Sequence, residues 1–267
     1  MRRLGGIHDR SRIQHPAFRR LTELPTSRRA RRRTGKRPEQ DTIVNSDQTR
    51  QRADRTLVYL ARHGQTPLNE SDVLRGLADP PLDDTGCDQA RRLGAMLGRR
   101  NPCAVIASPL RRAVQTAQPV AEQAGLEAAT DQRLVDRDYG QCTGASRESV
   151  IERFGSVDAA PGVEPRSAVR DRAIAGLTDI VRHNRGGTVV VVSHDAVNRE
   201  VLVAFDPSLG DPDTVPQENG CFNTLEMTGG QWVVLRVNEL PADGLRLLRG
   251  EARRPVSCQS RSHRYRG

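Results

Sequence analysis

Two histidines and two arginines stand where chemistry is possible. Arg62-His63-Gly64-Gln65-Thr66 follows the apolar run Leu57-Val58-Tyr59-Leu60-Ala61, and Ser193-His194-Asp195 follows Thr188-Val189-Val190-Val191-Val192. A third segment, Ser108-Pro109-Leu110-Arg111-Arg112-Ala113-Val114-Gln115-Thr116-Ala117, leaves a shorter apolar run at 103–107. Each reactive side chain sits just past the C-terminal end of a strand-like stretch, and in an open α/β sheet that edge is where ligands bind. Arg62, Arg112, His63 and His194 on neighbouring strand ends would form a compact cationic pocket suited to a phosphoryl group. Guanidinium forks bind phosphate oxygens bidentately and stay charged. Neighbouring cations depress a histidine pKa, so one imidazole can stay neutral and attack phosphorus. A helix opening after Pro109 would add a dipole favourable to an anion.

These residues need a scaffold, and the hydrophobic pattern supplies one. Strands are predicted at 57–61, 103–107, 188–193, 221–227 and 231–238, the last two flanking Gly229-Gly230 as a hairpin. Helical periodicity covers about 85–99, 110–124, 146–154, 165–184 and 195–204, with a polar loop between 61 and 85 and another at 131–145. Strands separated by helices imply an α/β fold, a three-layer α/β/α sandwich. Its sheet should be mostly parallel, with an antiparallel C-terminal hairpin.

The charge pattern argues against a nucleic-acid enzyme. The 267 residues carry a formal charge of +9, yet residues 1–55 hold fifteen arginines and Lys36 against six acids, a net +10, and residues 249–267 hold six arginines against Glu251, a net +5. That leaves −6 for the segment between. The expected organisation is therefore a disordered basic extension at 1–55, a catalytic domain at 56–248 and a basic tail at 249–267. A translation start downstream of Met1 is an equal reading of the extension. Any nucleic-acid contact would be through the tails alone. Five widely spaced cysteines, with no Cys-x-x-Cys pair, suggest neither a disulfide framework nor a zinc site. A reducing cytoplasm is the expected compartment, and no apolar stretch is long enough for a signal peptide or membrane span.

The three motifs together resemble the histidine phosphatase superfamily, with its phosphoglycerate mutase-like fold: Arg-His-Gly after the first strand, Ser-x-Leu-x-Arg-Ala-x-Gln-Thr-Ala, and a late Ser-His. The resemblance runs from about Leu57 to Asn238. It implies that His63 is the nucleophile that becomes phosphohistidine, with Arg62, Arg112 and His194 holding the phosphoryl group. It further implies a phosphate contact at Asn69 and a substrate-side loop at Gly76. No metal or other cofactor is implied, because arginines neutralise charge that magnesium handles in other phosphoryl transferases.

The proton donor departs from the family pattern. Asp136, in Arg133-Leu134-Val135-Asp136-Arg137-Asp138-Tyr139-Gly140, occupies the place of a glutamate one methylene longer. An aspartate can serve if its pKa is raised and the backbone approaches. Asp195 is the alternative donor and a further substrate contact; its bland reading is N-cap of the following helix. Arg111 reads as a solvated helix residue. Cys142, where relatives often carry tryptophan, has no basic partner in sequence and is not expected to be catalytic.

A phosphatase and a mutase share the phosphohistidine and differ in its acceptor. Tyr139-Gly140-Gln141-Cys142-Thr143-Gly144 passes quickly to Pro161-Gly162-Val163-Glu164, a short lid expected to leave the site open to water. The resulting expectation is a metal-independent phosphomonoester hydrolase acting on a small phosphorylated metabolite. Mutase-type transfer and a non-catalytic phospho-ligand binder are the alternatives. Neither the substrate nor the oligomeric state is legible in the sequence.

Overall fold

The computed structural model describes residues 55–71 and 73–241. Expectations about the basic extension and the tail fall largely on residues 1–54 and 242–267, outside the described residues. Six strands form one sheet in the order β3-β2-β4-β1-β5-β6: β1 (Thr56–Arg62), β2 (Ala104–Ala107), β3 (Ala128–Thr130), β4 (Thr188–Ser193), β5 (Phe222–Thr228) and β6 (Gln231–Glu239). The first four are mutually parallel where they pair; β5 is antiparallel to both β1 and β6. The mixed α/β sheet with a terminal antiparallel hairpin agrees with the sequence reading. Gly229 and Gly230 turn that hairpin at φ 60° and 85°, the positive values a two-residue primed turn demands.

The central strands are valine-rich because both of their faces are covered. Alternate Cβ atoms point to opposite sides. Val58, Leu60, Val189 and Val191 face a cluster with Val169, Ala173 and Leu177 of α4 (Arg166–His183) and Val197, Val201 and Leu202 of α5 (Asp195–Phe205). Tyr59, Ala61, Val190 and Val192 face Leu93 and Leu97 of α1 (Asp84–Leu97) and Ala113, Ala117 and Val120 of α2 (Arg111–Ala124). Truncating one fully buried leucine such as Leu60 would cost about 2–5 kcal/mol. A satellite cluster of Leu74, Tyr139, Cys142, Val150, Val157 and Ala160 lies under the lid, which contains α3 (Arg147–Phe154).

Local signals place the helix ends. Asp83 caps α1 by accepting from the Gly86 amide at 2.7 Å, and Gly125 closes α2 in the left-handed region at φ 69°. Two elements were not foreseen. β3 is an Ala-Ala-Thr stretch with no β-branched run, and exists by pairing with β2. The polar loop after β1 contains a one-turn helix at Pro67–Glu70. Among the described residues no helix is long and apolar enough to cross a membrane.

The register sets the site. β1 and β4 pair from Leu57 opposite Thr188 to Arg62 opposite Ser193, and the His63 amide extends the ladder by donating to the Ser193 carbonyl at 3.0 Å. His63 and His194 thereby leave two adjacent strands side by side.

Candidate active site

His63 is completely buried, and its tautomer follows from its bonds. Nδ1 lies 2.7 Å from the Gly64 carbonyl, which can only accept, so Nδ1 carries the proton. Nε2 holds the lone pair and accepts from Arg112 Nε at 3.2 Å. Burial, then Arg112 and Arg62, hold the imidazole well below its usual value near 6.5. The candidate nucleophile is therefore neutral at physiological pH.

Arg112 is held from four directions. Nη2 donates to the Gly76 carbonyl at 3.0 Å and to Asp136 Oδ2 at 2.9 Å, Nη1 donates to the Ala78 carbonyl at 2.5 Å, and Nε reaches His63. One planar guanidinium therefore bridges the candidate nucleophile and the candidate acid. Gly76 can offer its carbonyl because it adopts φ 50°, and a Cβ there would lie 3.2–3.3 Å from Thr143 Oγ1, the Arg137 carbonyl and the Tyr139 ring. The rest of the α2 segment acts as a clamp. Gln115 accepts from the Leu82 amide at 2.8 Å, and Thr116 Oγ1 accepts from the Gly64 amide at 2.9 Å.

His194 is the N-cap residue of α5 and lies 5.1 Å from His63 between ring centroids. Its Nε2 meets the Ser108 hydroxyl at 2.8 Å. Its Nδ1 is buried without a hydrogen-bond partner, 3.7 Å from Asp136 Oδ2. Burial and Arg112 also push its pKa well below the ordinary value.

The two candidate donors sit in opposite electrostatic settings. Asp136 is buried, and burial raises its pKa despite the opposing pull of Arg112. Its shorter side chain still reaches the pocket. Burial would also raise Asp195, but Arg62 and Arg75 outweigh it and hold that carboxyl well below the carboxylate range. Arg75 Nη2 grips both Asp195 oxygens, at 3.0 and 3.1 Å, and Arg62 Nη2 stands 3.7 Å away. Asp195 is thus an ionised partner of two arginines. It is the first helical residue of α5 and not its N-cap.

Other expectations shift. The N-terminus of α2 was read as an anion site, but Asp79 already accepts from the Arg111 amide at 2.5 Å. The Asn69 carboxamide oxygen accepts from the Thr66 amide at 3.0 Å and its hydroxyl at 2.8 Å, so that side chain caps the one-turn helix. Arg111 is exposed, as expected, and Cys142 is buried with Leu74 and Tyr139. The short lid was expected to leave the site open. In the structure neither imidazole has exposed surface, and the side chains of Arg75 and Asp195 nearby are 13% and 18% exposed.

Three participants escaped sequence reasoning. Arg75 was passed over beside Gly76, although a charged residue before a loop glycine was a usable signal. Ser108, visible in its motif, orients His194. Gln217 accepts from Arg62 Nη1 through its backbone carbonyl, and Asn198 and Asn223 bind its side chain at 3.1 and 3.0 Å. Among the described residues no three His, Cys, Asp or Glu side chains are grouped to hold a metal ion.

Comparison with known proteins agrees with this geometry. The family model described as histidine phosphatase superfamily (branch 1) matches residues 58–240. An uncharacterized phosphatase, PhoE of Bacillus subtilis (strain 168), is 29% identical over 185 residues, covering 68% of this chain and 94% of the relative. Phosphoserine phosphatase 1 of Hydrogenobacter thermophilus is 28% identical over 192 residues, covering 68% and 91%. Among solved structures, Bacillus stearothermophilus YhfR superposes with a TM-score of 0.63 at 27% identity, covering 68% of this chain and 96% of its own. The mixed six-stranded sheet, the buried histidine pair and this match over most of the chain place the protein in the histidine phosphatase superfamily, branch 1.

Proposed function

We propose that the protein is a metal-independent phosphomonoester hydrolase working through a phosphohistidine on His63. The observation that carries this reading is the Arg112 bridge: one guanidinium donates to the lone-pair nitrogen of His63 and to Asp136. A monoester entering this pocket takes over the arginine hydrogen bonds, leaving His63 Nε2 free to attack. The N–P bond forms as the P–O bond to the alcohol breaks, and Asp136 transfers its proton to the departing oxygen. Arg62 and Arg112 hold the charge of the transferring group, and His194 Nδ1 supplies a further donor. In the second half, the Asp136 carboxylate takes a proton from water as its oxygen attacks phosphorus. Inorganic phosphate leaves and His63 is neutral again.

The test is hydrolysis of p-nitrophenyl phosphate in the presence of a chelator, with rapid alkaline quenching to trap the acid-labile phosphohistidine. Label on wild type and none on His63→Ala is the expected result. Conversion of 3-phosphoglycerate to 2-phosphoglycerate faster than any hydrolysis would replace the hydrolase with a mutase. No turnover of any monoester between about pH 4 and 8, where the acid and base states should both be populated, would leave a phospho-ligand binder.

A further inference from the structure

We propose that Gln217 and Asn223 are positioning residues for Arg62, a buried pair of amides that holds one end of its guanidinium so that the other end faces the phosphoryl group. This rests on the hydrolase reading, in which Arg62 is a phosphoryl ligand. Arg62 Nη1 donates to the Gln217 carbonyl. On the opposite edge, Nε is buried without a hydrogen-bond partner and Nη2 stands 3.7 Å from Asp195, beyond hydrogen-bond reach. Arg172 uses that same edge to grip both oxygens of Glu164, at 2.8 and 3.0 Å. Arg62 thus keeps a planar fork for two oxygens of an anion.

The aim of the fork depends on the Gln217 carbonyl, and three strands fix where that residue sits. Asn223 of β5 stands opposite Leu60 of β1 in the sheet register. Its Nδ2 donates to the Leu60 carbonyl at 2.9 Å, and its Oδ1 accepts from the Asn238 amide of β6 at 2.9 Å. A carbonyl only accepts and an amide N–H only donates, so the two neighbouring strands dictate which way the Asn223 carboxamide points. Gln217 follows from it. Its Nε2 donates to Asn223 Oδ1 at 2.8 Å while its Oε1 accepts from Asn223 Nδ2 at 3.0 Å, a reciprocal amide pair. Asn198 of α5 donates to the same Oε1 at 3.1 Å, and Nε2 also reaches the Pro216 carbonyl at 2.8 Å. Gln217, Asn198 and Asn223 are all buried, where such bonds are strong and costly to leave unmade.

The main chain of the strand end is held separately. The Arg62 amide donates to the Cys221 carbonyl at 2.9 Å, and the His63 carbonyl accepts from the Gly220 amide at 3.2 Å and from Asn219 Nδ2 at 3.3 Å. Breaking the amide pair should therefore turn the Arg62 guanidinium and leave the backbone of Arg62 and His63 in place.

The test is a double-mutant cycle in the full-length protein, crossing Asn223→Ala and, separately, Gln217→Ala with Arg62→Ala. Two readouts are taken: kcat/KM for p-nitrophenyl phosphate, and calorimetric binding of inorganic phosphate, which needs no turnover. Thermal melts set an assay temperature at which every variant is folded. Asn223→Ser, which keeps a polar group in the sheet and breaks the amide pair, is the second variant. With Arg62 present, each amide substitution should weaken phosphate binding and lower kcat/KM by about 10- to 100-fold, as misplacing a ligand does. With Arg62→Ala, the same substitution should change either readout by less than about 2-fold. Equal losses in the two backgrounds, or no loss with Arg62 present, would overturn the positioning role and leave the amides as a tie between strands. A coupled loss of phosphate binding with no turnover of any monoester would overturn the hydrolase reading and leave the positioning role standing.

Discussion

The phosphoryl pocket and the α4 side of the 131–138 loop, where Arg133 and Arg172 stand, use the same residue type to opposite ends. On the α4 side, Arg172 satisfies all of its N–H groups on Glu164 and the Arg133, Val135 and Asp136 carbonyls, and Arg133 is gripped by Asp131 and Asp179. In the pocket, Arg62 Nε, Arg75 Nε and His194 Nδ1 are buried without hydrogen-bond partners. A buried donor left unmade costs about 1–3 kcal/mol, and a fold retains several together only where they serve something else. The contrast is one of neighbourhood and not of every arginine, since Arg112 in the pocket is held on four sides and Arg166 Nε outside it also lacks a hydrogen-bond partner. Arginine counts alone would not have separated the two regions.

Substitutions can break that contrast. The largest effect belongs to His63→Ala, expected to lower kcat/KM for phenyl phosphate by about 10⁴-fold or more, with Arg112→Ala costing about 10²- to 10³-fold. Retention of even a tenth of the activity by His63→Ala would remove the nucleophile from the pocket. Next is Asp136→Asn, expected to cost about 10²-fold on phenyl phosphate and clearly less on p-nitrophenyl phosphate, whose phenolate leaves without a proton. Asp195→Asn should show no such dependence on the leaving group, because Asp195 is held ionised. A leaving-group effect in Asp195→Asn would exchange the two roles.

On the other side of the comparison, Arg172→Ala should act on stability first. Removing a cation that ties Glu164 and three carbonyls should cost about 2–4 kcal/mol in denaturant unfolding, with kcat/KM falling far less than in Arg112→Ala. If the order of activity losses is reversed, Arg172 is part of the chemistry.

The smallest effect is on pH dependence. His63 and His194 are held below 6.5 in the folded state, so the unfolded chain binds more protons as pH falls through that value. Their contribution is a loss of stability on acidification, about 1–2 kcal/mol per histidine between pH 7 and 5. Urea unfolding of His63→Ala and His194→Ala should show a shallower acid slope than wild type. An unchanged slope would mean the imidazoles are already charged at neutral pH.

Much of this was legible in the chain because the signals are local. Val189 through Val192 spell a strand buried on both faces, and the three motifs name His63, Arg112 and His194 outright. The structure draws these together with Asp136, and the environments of the two aspartates, which no motif contains, separate their candidate roles. The partnership of Arg75 with Asp195 spans 120 positions, and no periodicity encodes it. β3 was missed for a related reason, since three small residues become a strand only when a neighbour offers its edge. The dipole expected at the start of α2 meets an anion from within the chain, the Asp79 carboxylate, which no local pattern announces.

The ladder that carries His63 one residue past Arg62 also fixes a dimension. Neighbouring strands stand about 4.8 Å apart, and the two imidazoles, each just beyond the end of its strand, are 5.1 Å apart. Their separation follows the hydrogen-bond spacing of a β-sheet, with the Gly64 carbonyl and the Ser108 hydroxyl holding the two rings in place. The spacing of the two strand ends that carry the histidines is therefore a backbone constant, as hard to compress or widen as the sheet itself. Substrate range can evolve in the loops around it while this gauge stays the same.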